Sequence, residues 1–211
     1  MIDDRYAGLK SLGITRASLG VQDFEPKVQA AINRIQTFDD TAEVVARMRA
    51  LGVASVNLDV LYGLPHQTLD SICSTIRQVL QIRPNRIALF GYAHVPWMKK
   101  HQTMIDELAL PDVAERFAQA QAAAAMLTDA GYVPIGIDHF ALPEDGLTVA
   151  LRAGKLRRNF QGYTADDADA LIGLGASAIG QLPQGHIQNM PATGEYQRRA
   201  KAWNLAVVRG F

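Results

Sequence analysis

The sequence predicts an α/β fold built on parallel strands, on three observations. Short β-branched or apolar runs alternate with longer runs at helical spacing through the first 137 residues. Glycines close the helical runs ahead of the next strand, at Gly13, Gly52 and Gly131. The run 53–61 (VASVNLDVL) is β-branched and apolar, as expected for a strand covered on both faces. Such a β–α–β–α order favours right-handed crossovers between parallel strands. An open doubly wound sheet and part of a (β/α) barrel fit it equally well.

The elements follow in order. Residues 3–12 form a short helix stopped by Gly13, and 14–21 follow as a strand. Residues 41–51 carry apolar side chains at helical spacing, with Asp40 or Thr41 as the N-cap and Glu43 in the first turn. After the strand at 53–61, Tyr62-Gly63-Leu64-Pro65 punctuates the chain ahead of a helix over 69–81. Residues 86–90 give a third strand. Beyond a loop around Pro96, an Ala-rich helix spans 112–130, and 132–137 make a fourth strand. Past Asp138 the regularity fades until a helix around 195–204, so the domains divide into 1–137 and 138–211.

Composition excludes several classes. The chain has 211 residues, 48% of them hydrophobic, and 21 Lys+Arg balance 21 Asp+Glu for a net charge of zero. That balance disfavours a nucleic-acid protein working by counterion release. A single cysteine, Cys73, rules out a disulfide scaffold, a Cys-rich zinc site and an iron–sulfur cluster held by this chain's own thiolates. The acidic start has no apolar signal segment, and no run suffices to span a bilayer, so a cytoplasmic location without membrane contact is expected.

In parallel α/β folds, ligands gather beyond the C-terminal strand ends. Each end here carries polar groups: Gln22-Asp23-Phe24, then Asn57 and Asp59, then Tyr92-Ala93-His94, then Asp138-His139-Phe140. Asp59 is the most informative, because a carboxylate inside an apolar strand is costly unless paired. A ribose hydroxyl pair, a ligand cation or a neighbouring amide would satisfy it. Asp138 and His139 could form an acid–base pair, although a hydrogen-bonded loop histidine is the commoner outcome. The Gly-rich stretch 173–180 departs from a dinucleotide fingerprint at Ala178 and suits close backbone packing. Arg152, Lys155, Arg157 and Arg158 form a basic group able to grip carboxylates in bidentate forks.

Taken in order, Gly20-Val21-Gln22-Asp23-Phe24, Asn33-Arg34, the run 57–68 (NLDVLYGLPHQT), Tyr92-Ala93-His94, the run 138–141 (DHFA) and the run 158–164 (RNFQGYT) resemble the oxygen-independent coproporphyrinogen III oxidases. These are radical S-adenosylmethionine enzymes of haem biosynthesis. The likeness covers nearly the whole chain and implies a partial (β/α) radical-SAM-type barrel, about its second half, with an irregular C-terminal extension. A haem-chaperone branch shares the GVQDF and YGLP pieces; the NFQGYT segment favours the decarboxylating branch. The resemblance implies that Gln22, Arg34 and Asp59 contact S-adenosylmethionine, with Asp59 on the ribose. It further implies that Ala93 adds backbone to that pocket, that Ile179 lines a second S-adenosylmethionine position, and that Gln161 lies close by.

In that family, reductive cleavage of S-adenosylmethionine gives a deoxyadenosyl radical that takes hydrogen from a propionate of coproporphyrinogen III. Loss of carbon dioxide and one electron leaves a vinyl group, twice per substrate, and a separate electron donor is required. A substrate with four propionates would give the group Arg152–Arg158 a purpose. The family's CxxxCxxC loop for a 4Fe-4S cluster has no counterpart here. The chain is therefore expected to be a piece of the enzyme, inactive alone. Its first strand would expose an edge, left open or paired with a second copy.

Overall fold

The computed structural model describes residues 8–160 and 162–211; Gln161 and the first half of the helix expected over 3–12 lie outside the described residues. Two compact units divide between Gly154 and Lys155. The first is a five-stranded sheet of order β1-β2-β3-β5-β4 with helices against it. Strands β1 (Arg16–Gln22), β2 (Ser55–Tyr62) and β3 (Arg86–Gly91) are parallel, Gly20 facing Asp59 and Asp59 facing Ala88 in register. Helix α1 (Pro26–Ala31) follows β1, and α2 (Phe38–Ala50) completes that crossover; α3 (Leu69–Ile82) and α4 (Val113–Asp129) follow β2 and β3.

The helix expected over 41–51 begins three residues earlier, and its N-cap is Thr37 rather than Asp40 or Thr41. Thr37 Oγ1 accepts from the Asp40 amide at 3.1 Å, and Asp40 Oδ2 accepts from the Thr37 amide at 3.3 Å. Phe38 then meets Phe24 edge-on at 5.7 Å, which anchors the earlier start.

A larger correction concerns the fourth strand. The expected parallel strand over 132–137 is the short β4 (Val133–Ile135), antiparallel to β5 (His139–Ala141), which is itself antiparallel to β3. A parallel return needs a crossover of a dozen or more residues. Only three residues separate β4 from β5, with Gly136 at φ 63°, so the chain must double back. The sheet therefore retains β5 and the following α5 (Gly146–Arg152), and residue 137 falls inside the first unit.

The two faces of β2 differ. Val56, Leu58 and Val60 have no exposure and pack with Ile72, Ile76 and Val79 of α3 and Ala123 and Leu127 of α4. At roughly 1.5–3 kcal/mol per buried aliphatic side chain, this layer is the main source of stability. Ser55, Asn57, Asp59 and Leu61 alternate with them on the opposite face and are half-buried. At one margin of the sheet, β4 carries Pro134 in its centre; β1 forms the other margin, with seven residues.

The second unit contains a hairpin of β6 (Arg157–Asn159) and β7 (Gly162–Thr164), and an antiparallel sheet of order β10-β9-β8. Its strands are β8 (Ile179–Leu182), β9 (Gly185–Asn189) and β10 (Val207–Gly210), with α6 (Thr193–Lys201) between the last two. Among the described residues, no helix is long and apolar enough to cross a membrane.

Candidate functional site

Three of the expected residues meet where β1 ends. Gln22 stands at the last position of β1 with φ 68°, left-handed backbone that a glutamine adopts at a cost of order 1–3 kcal/mol. A register shift between Gly20 and Gln22 accompanies it. The Arg34 guanidinium reaches back from the turn after α1 and donates to the Gly20 carbonyl at 2.6 Å. Gly20 has no side chain to oppose them. A Cβ there would lie 2.7 Å from Gln22 Nε2 and 3.2 Å from Arg34 Nη2. Since register partners in a sheet point to the same face, the Asp59 carboxylate projects beside this bare strip. Asp59 Oδ1 accepts from Asn57 Nδ2 at 2.6 Å and from Ser18 Oγ at 3.3 Å.

Gln22 and Arg34 also line a cavity of about 630 Å³ walled by Leu61, Leu64, Tyr92 and Gln102, among others. Its size and mixed lining suit a small organic ligand with a few polar handles. A smaller hollow of about 300 Å³ shares Arg34 with it and is lined also by Ser18 and Gly20. Ala93 follows Tyr92 and is exposed; its carbonyl already accepts from Gln102 Nε2 at 3.0 Å.

A buried polar network supports these walls. Asp23 is fully buried, accepting from Gln67 Nε2 at 2.5 Å, Thr75 Oγ1 at 3.2 Å and the Glu25 amide at 2.6 Å. Gln67 also donates to the Leu61 carbonyl at 2.9 Å and accepts from the Leu64 amide at 3.1 Å. Gln119 of α4 donates to the Gln67 carbonyl at 3.0 Å and accepts from the Gly63 amide at 2.9 Å. The ends of β1 and β2 are thus tied together beneath the cavity. Gln67 and Gln119 were not among the expected residues. Gln119 had a signal, since it shares the buried stripe of α4 with Ala123 and Leu127.

Burial raises the Asp23 carboxyl above its ordinary 3.8, while the Glu25 amide, Gln67 and Thr75 favour the ionised form. A folded pKa above the unfolded one contributes stability that is full below about pH 3.8 and is lost as pH rises through the folded value. Asp23→Asn removes that dependence. The stability of the native chain relative to the variant should fall as pH rises from about 4 towards neutrality, measured by urea denaturation across the range; a constant difference would refute the assignment.

The fourth strand-end group arrives differently from expectation. Asp138 immediately precedes antiparallel β5 and His139 opens it, with His139 Nδ1 and Asp138 Oδ1 2.6 Å apart and the His139 ring edge-on to Phe90 at 5.6 Å. Register nonetheless carries one row across the sheet through Gly20, Asp59, Ala88 and His139. His139 therefore shares a face and a level with Asp59, two strand spacings away, or about 10 Å.

The remaining expected residues fall elsewhere. Arg152 ends α5 in the first unit, whereas Lys155, Arg157 and Arg158 belong to the second, all four exposed. Arg157 and Arg158 line a hollow of about 100 Å³ with Asn159, Thr164 and Gln181, and the Arg158 guanidinium lies 5.3 Å from the Tyr163 ring centre. Ile179 opens β8. In the Gly-rich stretch, a Cβ on Gly173 would meet the Ile179 backbone at 2.9 Å, and one on Gly180 the Leu171 carbonyl at 2.8 Å, so these glycines allow close backbone packing.

Residues 1–79 match the radical SAM superfamily model. An oxygen-independent coproporphyrinogen III oxidase from Bradyrhizobium diazoefficiens is 52% identical over 99% of this chain and 46% of its own length. Over nearly its whole length the chain is similar to the oxygen-independent coproporphyrinogen III oxidases. One from Pseudomonas aeruginosa is 44% identical over 96% of this chain and 44% of its own length. Among solved structures, the coproporphyrinogen III oxidase of Escherichia coli, described as a radical SAM enzyme, superimposes with a TM-score of 0.88 at 39% identity. That match covers 99% of this chain and 48% of the other. The chain thus spans about half the length of the oxidases it matches, and its fold is theirs over that span.

The match of residues 1–79 to the radical SAM superfamily implies S-adenosylmethionine and a 4Fe-4S cluster. The residues here do not fit the cluster: the one cysteine, Cys73, lies within α3, partly buried against the core. Among the described residues, no grouping of His, Cys, Asp and Glu could hold a metal.

Proposed function

We propose that this chain supplies the nucleoside-binding part of an oxygen-independent coproporphyrinogen III oxidase, which converts two propionates of coproporphyrinogen III to vinyl groups. The observation that carries it is the convergence of Gln22 and Arg34 over bare Gly20, beside the Asp59 carboxylate. S-adenosylmethionine, when bound, supplies the hydrogen-abstracting chemistry. The chain's own part is to bind and orient. Asp59 accepts hydrogen bonds from the ribose hydroxyls, Arg34 and Gln22 offer donors, and Ala93 contributes backbone beside the apolar wall of Leu61 and Leu64.

Ile179 and Gln161 would serve a second S-adenosylmethionine, and Arg152, Lys155, Arg157 and Arg158 the substrate carboxylates. Cluster ligands and the electron donor are assigned to the rest of the enzyme. Titrating S-adenosylhomocysteine into the chain tests the central claim. Saturable binding weakened at least tenfold by Asp59→Ala is expected. No binding, or equal binding by the variant, would overturn it.

A further inference from the structure

We infer that Asn57 is a positioning residue that sets the orientation of the Asp59 carboxylate towards a ligand diol. The inference rests on the nucleoside reading above and adds a residue which that reading leaves unassigned. Asn57 lies two positions before Asp59, on the same face of β2, and directly opposite Ser18 of β1. Its amide nitrogen forks, donating to Asp59 Oδ1 at 2.6 Å and to Ser18 Oγ at 2.9 Å, while Ser18 Oγ donates to the same carboxylate oxygen at 3.3 Å. Asp59 Oδ1 therefore accepts from two protein donors. Among the described residues, none donates to Oδ2.

The amide oxygen shows what this arrangement costs. Asn57 Oδ1 is buried and has no hydrogen-bond partner among the described residues. Buried acceptors are rarely left so, because the loss of hydration is not recovered. Turning the amide over would not help, since it would set the oxygen 2.6 Å from a carboxylate oxygen. The side chain is held in the one orientation that serves Asp59 at the expense of its own oxygen. A residue present for stability would not carry that defect. A residue present to fix a carboxylate would.

Locked through Oδ1, the carboxylate has one rotation about its side-chain bonds, and Oδ2 becomes a fixed acceptor. Two vicinal hydroxyls present the donors such an acceptor selects, and a ligand without them gains nothing from the lock. Asn57 therefore acts on selectivity more than on gross affinity.

The test compares adenosine with 2′,3′-dideoxyadenosine on the 211-residue chain, by ligand-observed NMR titration, together with thermal unfolding. The native chain should favour adenosine about tenfold. Asn57→Ala should bring that ratio below about threefold while keeping its melting temperature within about 4 °C, because a bad acceptor leaves with the good donor. Ser18→Ala, at an exposed edge position, removes the longer bond to Asp59 and one acceptor of Asn57 but leaves the 2.6 Å bond, and should lower the ratio by a smaller factor. An Asn57→Ala chain that melts far lower yet keeps the full ratio would overturn the inference and leave the nucleoside reading intact. A native chain that binds neither nucleoside would overturn both.

Discussion

Gly20→Ala should leave the chain folded and its nucleoside site disabled. The added Cβ would lie 2.7 Å from Gln22 Nε2 and 3.2 Å from Arg34 Nη2, both ends of movable side chains rather than backbone. The φ of Gly20 lies outside the left-handed region, so alanine also meets no backbone strain there. The folding cost should be within about 1 kcal/mol, offset in part by the lower entropy of the unfolded chain. The two side chains that move are those proposed to face the ligand. Affinity for S-adenosylhomocysteine should therefore fall at least tenfold. Calorimetric titration of native and variant chains, with urea denaturation beside it, separates the two quantities. A variant that binds as well as the native chain would show that Gln22 and Arg34 hold no ligand.

The second large effect is on stability. Gln67→Ala removes the donor to Asp23 Oδ2 and to the Leu61 carbonyl, and the acceptor for the Leu64 amide. Each buried group left without its partner costs about 1–3 kcal/mol, and the carboxylate lies at the upper end. Asp23 has no exposure, so solvent cannot replace the lost donor without local opening of the structure. A loss of about 3–5 kcal/mol is expected from urea unfolding. A loss under about 1 kcal/mol would mean that the network beneath the cavity is dispensable. Because that turn also forms a cavity wall, Gln67→Ala should weaken binding too, opposite in emphasis to Gly20→Ala, which spares the fold.

Much of the first unit was legible because its signals are local. The strands at β1, β2 and β3 and the helices α3 and α4 lie within a few residues of where alternation, helical spacing and closing glycines put them. Asp59 stood out as a charge inside an apolar strand, and Gln22 and Arg34 through the motifs that carry the family resemblance. What escaped was set by tertiary pairing. The turn-back of β4 into β5 depends on a connection length that only the pairing of β5 with β3 reveals. The importance of Gly20 arises from side chains two and fourteen residues away that fold over it. The part played by Gln67 depends on partners at Asp23 and Gln119, remote in sequence.

The two margins of the sheet are not equivalent, and this gives the fold a direction of growth. At the β4 margin, a three-residue strand with proline at its centre lacks a backbone donor where a neighbour would need one. Beyond it the antiparallel β5 has already broken the parallel series. At the β1 margin, seven residues run parallel to β2 and, among the described residues, have no further strand beside them. Extension of the sheet, whether by another part of the same polypeptide or by another molecule, is therefore favoured at β1 over β4. A strand arriving there would lie alongside Ser18 and Gly20, so enlarging the sheet and walling in the Asp59 strip are one and the same event.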